Sequence, residues 1–274
     1  MTKIEWAEET WNPITGCTPI SEGCAHCYAR PMAQRLKGRY GYPKDDPFRV
    51  TFHPDKLDQP LKWKKPKHIF VVSMGDLFHP GVLWSINQEV WEVMAKCPQH
   101  TFLILTKRLE RMKIFLTEDL NYKLPLPLSN AWLGATAENQ QRLDERLFIL
   151  LQIPAAKHFV SIEPMLGPVD LHIKDTQADV IWRRTHGGSY QREFVDWVIL
   201  GGESGPGARP MHPDWARSVR DQCQEAGVAF FFKQWGSHWY KDWLPTMPVE
   251  KAGLDIQNYK GGRLLDGREW NETP

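Results

Sequence analysis

The sequence predicts an α/β fold with the layout of a partial or complete (β/α) barrel. Seven short runs rich in apolar and β-branched residues are separated by helical patterns or longer connections. Runs of this kind form parallel strands whose two faces are covered by helices. Small or polar residues follow most of these runs, as at the strand ends where a barrel forms its active site. A chain of 274 residues accommodates one such barrel. A doubly wound open sheet is the competing architecture.

Each predicted element has its own signal. The first strand precedes three clustered cysteines, and a helix that ends at Gly38 follows them. Alternating apolar residues indicate an extra short strand at 48–52. The later strands are continuous apolar runs, and helical patterns follow most of them. The seven strands are 9–13, 68–73, 101–105, 131–133, 158–162, 196–200 and 229–232; the helices are 28–37, 85–96 and 213–226, with two more ending near 116 and 151.

Two segments do not follow this alternation of strands and helices. The connection at 174–194 has no clean period and carries Arg183, Arg184, His186 and Arg192. It is either a lid over a substrate or a tolerated surface insertion. After Gly236 the chain is rich in Trp and Gly. We therefore expect a barrel over residues 1–236 and an extension over 237–274 that packs on it.

Composition limits the classes of function. The chain has 34 basic and 33 acidic residues and so lacks the general positive field that draws a protein to nucleic acid. A nucleic-acid substrate would need a local patch; the basic stretch 61–68 is either such a patch or a solvated edge. No run approaches the length of a membrane span, and the N-terminus lacks the apolar core of a signal peptide. We expect a cytoplasmic protein without a membrane partner.

Three of the five cysteines, Cys17, Cys24 and Cys27, stand in a C-x6-C-x2-C spacing. The residues between them are turn formers that keep the backbone in a loop. Structural zinc sites usually have four protein ligands, whereas no second Cys pair follows here. Cys97 and Cys223 are interpreted as core residues. The pattern favours an iron-sulfur cluster with one iron left open; a zinc site and the absence of a metal remain alternatives.

This arrangement resembles the radical S-adenosylmethionine (radical SAM) enzymes. Their three cysteines follow the first barrel strand and bind a 4Fe-4S cluster whose open iron chelates S-adenosylmethionine (SAM). The commonest spacing there is C-x3-C-x2-C, so the first gap is longer here. His26 occupies the place of the aromatic residue near the adenine. The motifs WNPxxGC, SMGDLFH, LTKR, SIEPMLGP, LGGESGPGARP and FFKQWG together resemble a phage-associated, radical SAM-like family of unknown function defined by its three cysteines.

The resemblance implies a set of SAM-binding positions, each with a simpler structural interpretation. Asp76, with Ser73 and Gly75, would bind the methionine amino group, or Asp76 would cap a turn. Lys107 or Arg108 would hold the carboxylate, or form a surface ion pair. The ribose would contact Thr136, Glu138 and Asn139, or Thr136 or Asn139 would instead cap a helix. Glu163 would contact SAM or the substrate. Gly201, Gly202 and Glu203 end the sixth strand, where the two glycines would let the backbone approach the ligand or form a tight turn.

Two functions follow from these positions. The first is a radical SAM enzyme that uses an external electron donor and cleaves SAM to a 5'-deoxyadenosyl radical, which acts on an unidentified substrate, such as a nucleotide or nucleic acid. The second is a non-catalytic zinc or iron-sulfur module that associates with a partner or nucleic acid. The basic stretches at 61–68 and 183–192 support this second function.

Overall fold

The fold is built on a seven-stranded parallel sheet. The computed structural model describes residues 4–119, 126–172, 182–184, 190–192, 194–237 and 262–274. Each of the seven predicted strands corresponds to one strand of this sheet. Their bounds are β1 Glu9–Trp11, β4 His68–Val71, β5 Thr101–Thr106, β6 Ala131–Thr136, β7 Lys157–Ile162, β10 Trp197–Gly201 and β11 Ala229–Gln234.

The strand order decides between the two predicted architectures. In space the order is β1, β4, β5, β6, β7, β10, β11, which is also the order along the chain. A doubly wound sheet reverses its direction of growth at a switch point, and no such reversal occurs among these strands. The partial (β/α) barrel class is therefore confirmed, and the open doubly wound sheet is excluded.

Helices connect the strands where the sequence predicts them. The last one, α6 (Pro213–Ala226), has both of its predicted bounds, because Pro213 starts it and Gly227, at φ 68°, ends it in the left-handed conformation. The others are α1 Ala29–Arg35, α2 Pro54–Leu57, α3 Trp84–Ala95, α4 Leu109–Ile114 and α5 Gln140–Leu151.

The chain divides into two compact units. The first comprises residues 1–135 and 153–157, and the second comprises 136–152 and 158–274. In the first unit the rings of Trp91 and Phe78 pack against Phe115, and all three are fully buried. In the second unit Trp197 packs against Phe159 and Phe231. Burial of each such ring contributes about 2–3 kcal/mol, so each unit has an aromatic core of its own.

Three two-stranded sheets complete the described structure. β2 (Ile14–Thr15) pairs with β3 (Thr51–Phe52), β8 (Trp182–Arg184) pairs with β9 (Tyr190–Arg192), and β12 (Leu264–Leu265) pairs with β13 (Arg268–Glu269). The lid or insertion predicted at 174–194 thus contains one strand pair, and its other residues, except 194, lie outside the described part.

Residues 262–274 pack on the last barrel strand. The indole of Trp270 meets the ring of Phe230, and Asn271 forms an antiparallel bridge with Phe231. This end of the predicted extension therefore contacts β11 as expected. Residues 238–261 lie outside the described part, and the boundary after residue 236 stays a prediction. Among the helices described, none combines the length and apolar character needed to cross a bilayer.

Candidate functional site

The cysteine loop leaves the sheet at Gly16. The Gly16 amide donates to the carbonyl of Met74, and Gly16 and Gly75 form a parallel bridge. Gly16 has φ 89°, and a Cβ atom there would lie 2.3 Å from the carbonyl oxygen of Arg49. Only glycine fits both requirements. The loop is thereby joined to the SMG segment that follows β4, where Ser73 and Gly75 are predicted to bind SAM.

Asn12 fixes the strand end beside the loop. Its Oδ1 accepts from the Met74 amide at 2.9 Å, and its Nδ2 donates to the Ser73 hydroxyl at 3.1 Å. Tyr28 is the residue after the third cysteine, and its hydroxyl donates to the Ser73 carbonyl. Sequence reasoning gave Asn12 no role, although its place in the WNP motif was noted. Both ends of the cysteine loop are therefore bound to the segment after β4.

All three cysteines of the loop are free thiols with partial exposure. Cys17 and Cys27 pack against the same apolar cluster, which includes Ala29 and Ala33 of α1. The other two cysteines, Cys97 and Cys223, are buried, as expected for core residues; Cys97 follows α3 rather than lying in it.

Two cations at the end of β5 contact the thiols. The Lys107 ammonium donates to Cys24 Sγ at 3.8 Å and to the Ser21 hydroxyl at 3.4 Å. The Arg108 guanidinium donates to Cys17 Sγ at 3.8 Å and to the Thr18 carbonyl at 2.8 Å. Both cations are therefore bound to the cysteine loop. Arg108 also forms an ion pair, with Asp76.

The electrostatic surroundings of the two thiols differ. Burial raises the pKa of Cys17 to about 11, Asp76 adds to the effect, and Arg108 offsets only part of it. Burial also acts to raise the pKa of Cys24, but the Lys107 ammonium and hydrogen bonds from the loop outweigh it and lower the pKa. Cations beside cysteines are a feature of sites that stabilise thiolates.

Asp76 holds Arg108 and the end of β5 in place. Its Oδ1 accepts from the Thr106 hydroxyl at 2.8 Å and from the Phe78 amide at 2.9 Å. Its Oδ2 lies 3.6 Å from Arg108 Nε. The amide contact is the turn cap of the simpler interpretation. Asp76 is only 6% exposed, and its assignment to the methionine amino group of SAM stays a prediction.

His79 is a site residue that sequence reasoning missed. Its Nδ1 accepts from the Gly81 amide at 2.9 Å, which leaves Nε2 as the protonated nitrogen that donates to the Thr18 hydroxyl at 2.9 Å. Burial, followed by the nearby Arg108, lowers the pKa of His79, so the ring is neutral at pH 7. The only signal in the sequence is the position of this residue at the end of SMGDLFH.

The second unit carries the residues predicted to bind the ribose. Glu138 is fully buried, and its Oε2 accepts from Arg146 at 2.7 Å; the same guanidinium donates to the Thr136 carbonyl at 2.7 Å. Asn139 is the N-cap of α5, with its Oδ1 accepting from the Arg142 amide at 3.0 Å. The cap interpretation thus describes Asn139. The SAM assignment of these three residues stays a prediction.

The remaining predicted positions also lie in the second unit. Glu163 forms an ion pair with Lys233, and both side chains are about one-fifth exposed. Glu203 is buried and accepts from the Arg209 side chain through both oxygens. A Cβ atom on Gly202 would lie 1.9 Å from the Trp235 carbonyl oxygen, whereas one on Gly201 would make ordinary contacts. Gly202 is therefore explained by close packing of the backbone against Trp235.

The chain matches one known protein family along its length. The model of a family described as "Protein of unknown function (DUF5131)" matches residues 1–274. The chain belongs to this family. No curated protein and no solved structure matches it.

Zinc and iron-sulfur sites make different demands on the side chains of this DUF5131 protein. Within the described residues, no three His, Cys, Asp or Glu side chains form a group that could hold a metal ion. A single zinc ion requires all its sulfur ligands about 2.3 Å from one centre. An iron-sulfur cluster distributes its thiolates over several irons and requires wider spacing. Three thiols on one loop, two of them beside cations, are side chains of the kind that hold such clusters.

Proposed function

We propose that this DUF5131 protein is an iron-sulfur enzyme of the radical SAM type. Cys17, Cys24 and Cys27 would hold a 4Fe-4S cluster, with SAM as the second cofactor. The observation that carries the proposal is the contact of two of these thiols with Lys107 and Arg108, at the C-terminal end of the neighbouring strand β5. Active sites of barrel proteins lie at such strand ends.

The chain's own residues prepare the thiols for metal. Metal binding requires deprotonated cysteines, and adjacent cations offset the negative charge of the thiolates. Lys107 does this at Cys24, whose pKa is lowered; at Cys17, Arg108 offsets only part of the effect of burial, and the pKa of that thiol stays raised. Asp76 and Thr106 hold Arg108 in position, because the Thr106 hydroxyl donates to Asp76 and accepts from the Arg108 amide. When bound, a cluster of this type supplies the electron, taken from an external donor, for reductive cleavage of SAM to a 5'-deoxyadenosyl radical.

The proposed SAM contacts follow the resemblance. They are His26, Ser73, Gly75, Asp76, Lys107, Thr136, Glu138, Asn139, Glu163, Gly201, Gly202 and Glu203. The substrate is a nucleotide, a nucleic acid or another molecule with an unactivated carbon–hydrogen bond. The protein would orient it and exclude water and oxygen.

The test is product formation by protein loaded with iron and sulfide without oxygen. After reduction with dithionite and addition of SAM, we expect 5'-deoxyadenosine. The Cys24→Ala variant should lose the brown colour and the product. Its matched control is Cys97→Ala, which removes a buried thiol outside the loop and should keep both. A fully loaded wild-type cluster that yields no 5'-deoxyadenosine refutes the proposal.

Metal analysis separates the enzyme from the metal-binding module. A colourless protein with one zinc per chain would support the non-catalytic alternative, whereas iron and sulfide with broad absorbance support the enzyme. Because Cys24→Ala and Cys97→Ala differ only in which thiol is removed, loss of zinc in the first alone would place that zinc at the cysteine loop.

A further inference from the structure

A basic, aromatic surface lies beside the cysteine loop. Between Tyr28 and Lys44 the chain has five basic residues and no acidic one, although the whole protein is nearly neutral. All five basic side chains are exposed. They are Arg30, Arg35, Lys37, Arg39 and Lys44. We call this segment the 28–44 surface. Sequence reasoning did not identify it, because the net charge of +1 hides a local excess.

The positive charge of this surface is not neutralised. Among the described residues, no acidic side chain forms an ion pair with any of the five cations. The nearest acidic residues in sequence are used elsewhere: Asp45 pairs with Arg49, and Asp46 accepts from the Phe48 amide. The surface is therefore complementary to a polyanion.

The fold brings these cations together. Ala29 and Ala33 face the apolar cluster that also contacts Cys17 and Cys27, so the opposite side of α1 points to solvent. The chain then turns back on itself, since the Arg39 amide donates to the Leu36 carbonyl. Within this turn the Arg39 side chain donates to the Arg35 carbonyl, and Lys44 lies over Gly38. Arg35, Arg39 and Lys44 thus share one patch.

Two exposed aromatic rings belong to the same segment as the cations. Tyr40 is 73% exposed and Tyr28 is 50% exposed. Tyr40 has φ 51°, a left-handed conformation that costs a non-glycine residue on the order of 1 kcal/mol. The Lys56 ammonium donates to its carbonyl and helps to hold it there. Exposed rings beside cations are the features on which nucleic-acid bases stack.

We propose that the 28–44 surface binds single-stranded nucleic acid, with phosphates on Arg35, Lys37, Arg39 and Lys44 and bases stacked on Tyr40 and Tyr28. The aromatic rings favour a single strand over a duplex, because the bases of a duplex are already stacked on one another. The inference goes beyond the proposed function and does not depend on it, since none of these side chains is assigned to the cluster or to SAM.

The test is fluorescence anisotropy with a labelled oligonucleotide of about 12 nucleotides, titrated with the purified full chain at several salt concentrations. The double variant Arg35→Ala/Arg39→Ala should weaken binding and reduce the salt slope by about 1.4, because each lost phosphate contact on a single strand removes about 0.7. Tyr40→Asn removes the ring but tolerates the left-handed turn, and should weaken binding about tenfold.

The matched control is Lys96→Ala/Arg268→Ala, which removes the same charge from two exposed cations outside the 28–44 surface and outside the 61–68 stretch. It should bind like wild type. Equal losses in the two double variants, or a wild type that does not bind at about 50 mM salt, would overturn the proposal. So would a duplex that binds as tightly as the single strand together with an unaffected Tyr40→Asn. DNA and RNA versions of the oligonucleotide identify the sugar. Failure here leaves 5'-deoxyadenosine formation untouched, so the two proposals fail separately.

Discussion

Replacing Arg146 with alanine should be among the most damaging single changes in the second unit. Arg146 and Glu138 form an ion pair at 2.7 Å in which the side chains are 7% and 0% exposed. The substitution leaves a carboxylate buried without its cation. It also removes the donor to the Thr136 carbonyl at the end of β6.

The expected loss of stability follows from the burial of the ion pair. Removing one partner of a buried pair costs about 3–5 kcal/mol, because the remaining charge stays out of water. In a protein of this size 1 kcal/mol shifts the melting temperature by about 2–4 °C, so we expect a fall of about 6–20 °C. A surface pair is worth about 0–1 kcal/mol.

The assay is thermal melting followed by circular dichroism, with Arg142→Ala as the control. Arg142 lies on the same helix and pairs with Glu145, whose side chain is 46% exposed. The control should lower the melting temperature by at most about 4 °C. The double variant Glu138→Met/Arg146→Met, which buries no charge, should recover most of the loss. Equal losses for Arg142→Ala and Arg146→Ala, or no recovery in the double variant, would refute this reasoning.

Two further predictions concern packing and pH. In urea unfolding, Gly202→Ala should destabilise the protein by about 1–3 kcal/mol, because the new Cβ atom meets the Trp235 carbonyl. The control is Gly262→Ala, whose new Cβ atom meets nothing within 4 Å. It should change stability by less than about 0.5 kcal/mol. Burial lowers the pKa of His53 to about 4 from 6.5, so the unfolded chain binds a proton that the folded chain does not. Stability should therefore fall by about 3 kcal/mol as pH decreases from 6.5 to 4, because one unit of pKa shift corresponds to about 1.4 kcal/mol. His53→Gln should reduce that slope.

The sheet could be predicted from the sequence because its strands are buried on both faces. β5 and β10 are almost entirely buried, and each reads as a near-continuous apolar run. The fold class therefore needed only local patterns. The strand near 48–52 was placed approximately, because its partner β2 is short and remote in sequence.

The site was predicted less completely, because its contacts depend on tertiary structure. The three cysteines and the cations after β5 were identified from spacing and strand ends. The His79 contact with Thr18 and the Asn12 contact with Ser73 each join residues 61 positions apart. No local pattern encodes them. The close packing of Gly202 against the Trp235 carbonyl, just after β11, was not predicted either, because only the arrangement of the strands reveals it.

The order of the strands along the chain has a consequence for biosynthesis. In the described part of the chain, the side chains that form hydrogen bonds with the thiols of the loop are Ser21, Lys107 and Arg108, all of which precede β6. The ribosome has therefore made these partners before it makes the strands from β6 to β11. The cysteine loop can take up its final surroundings while the later strands are still being translated.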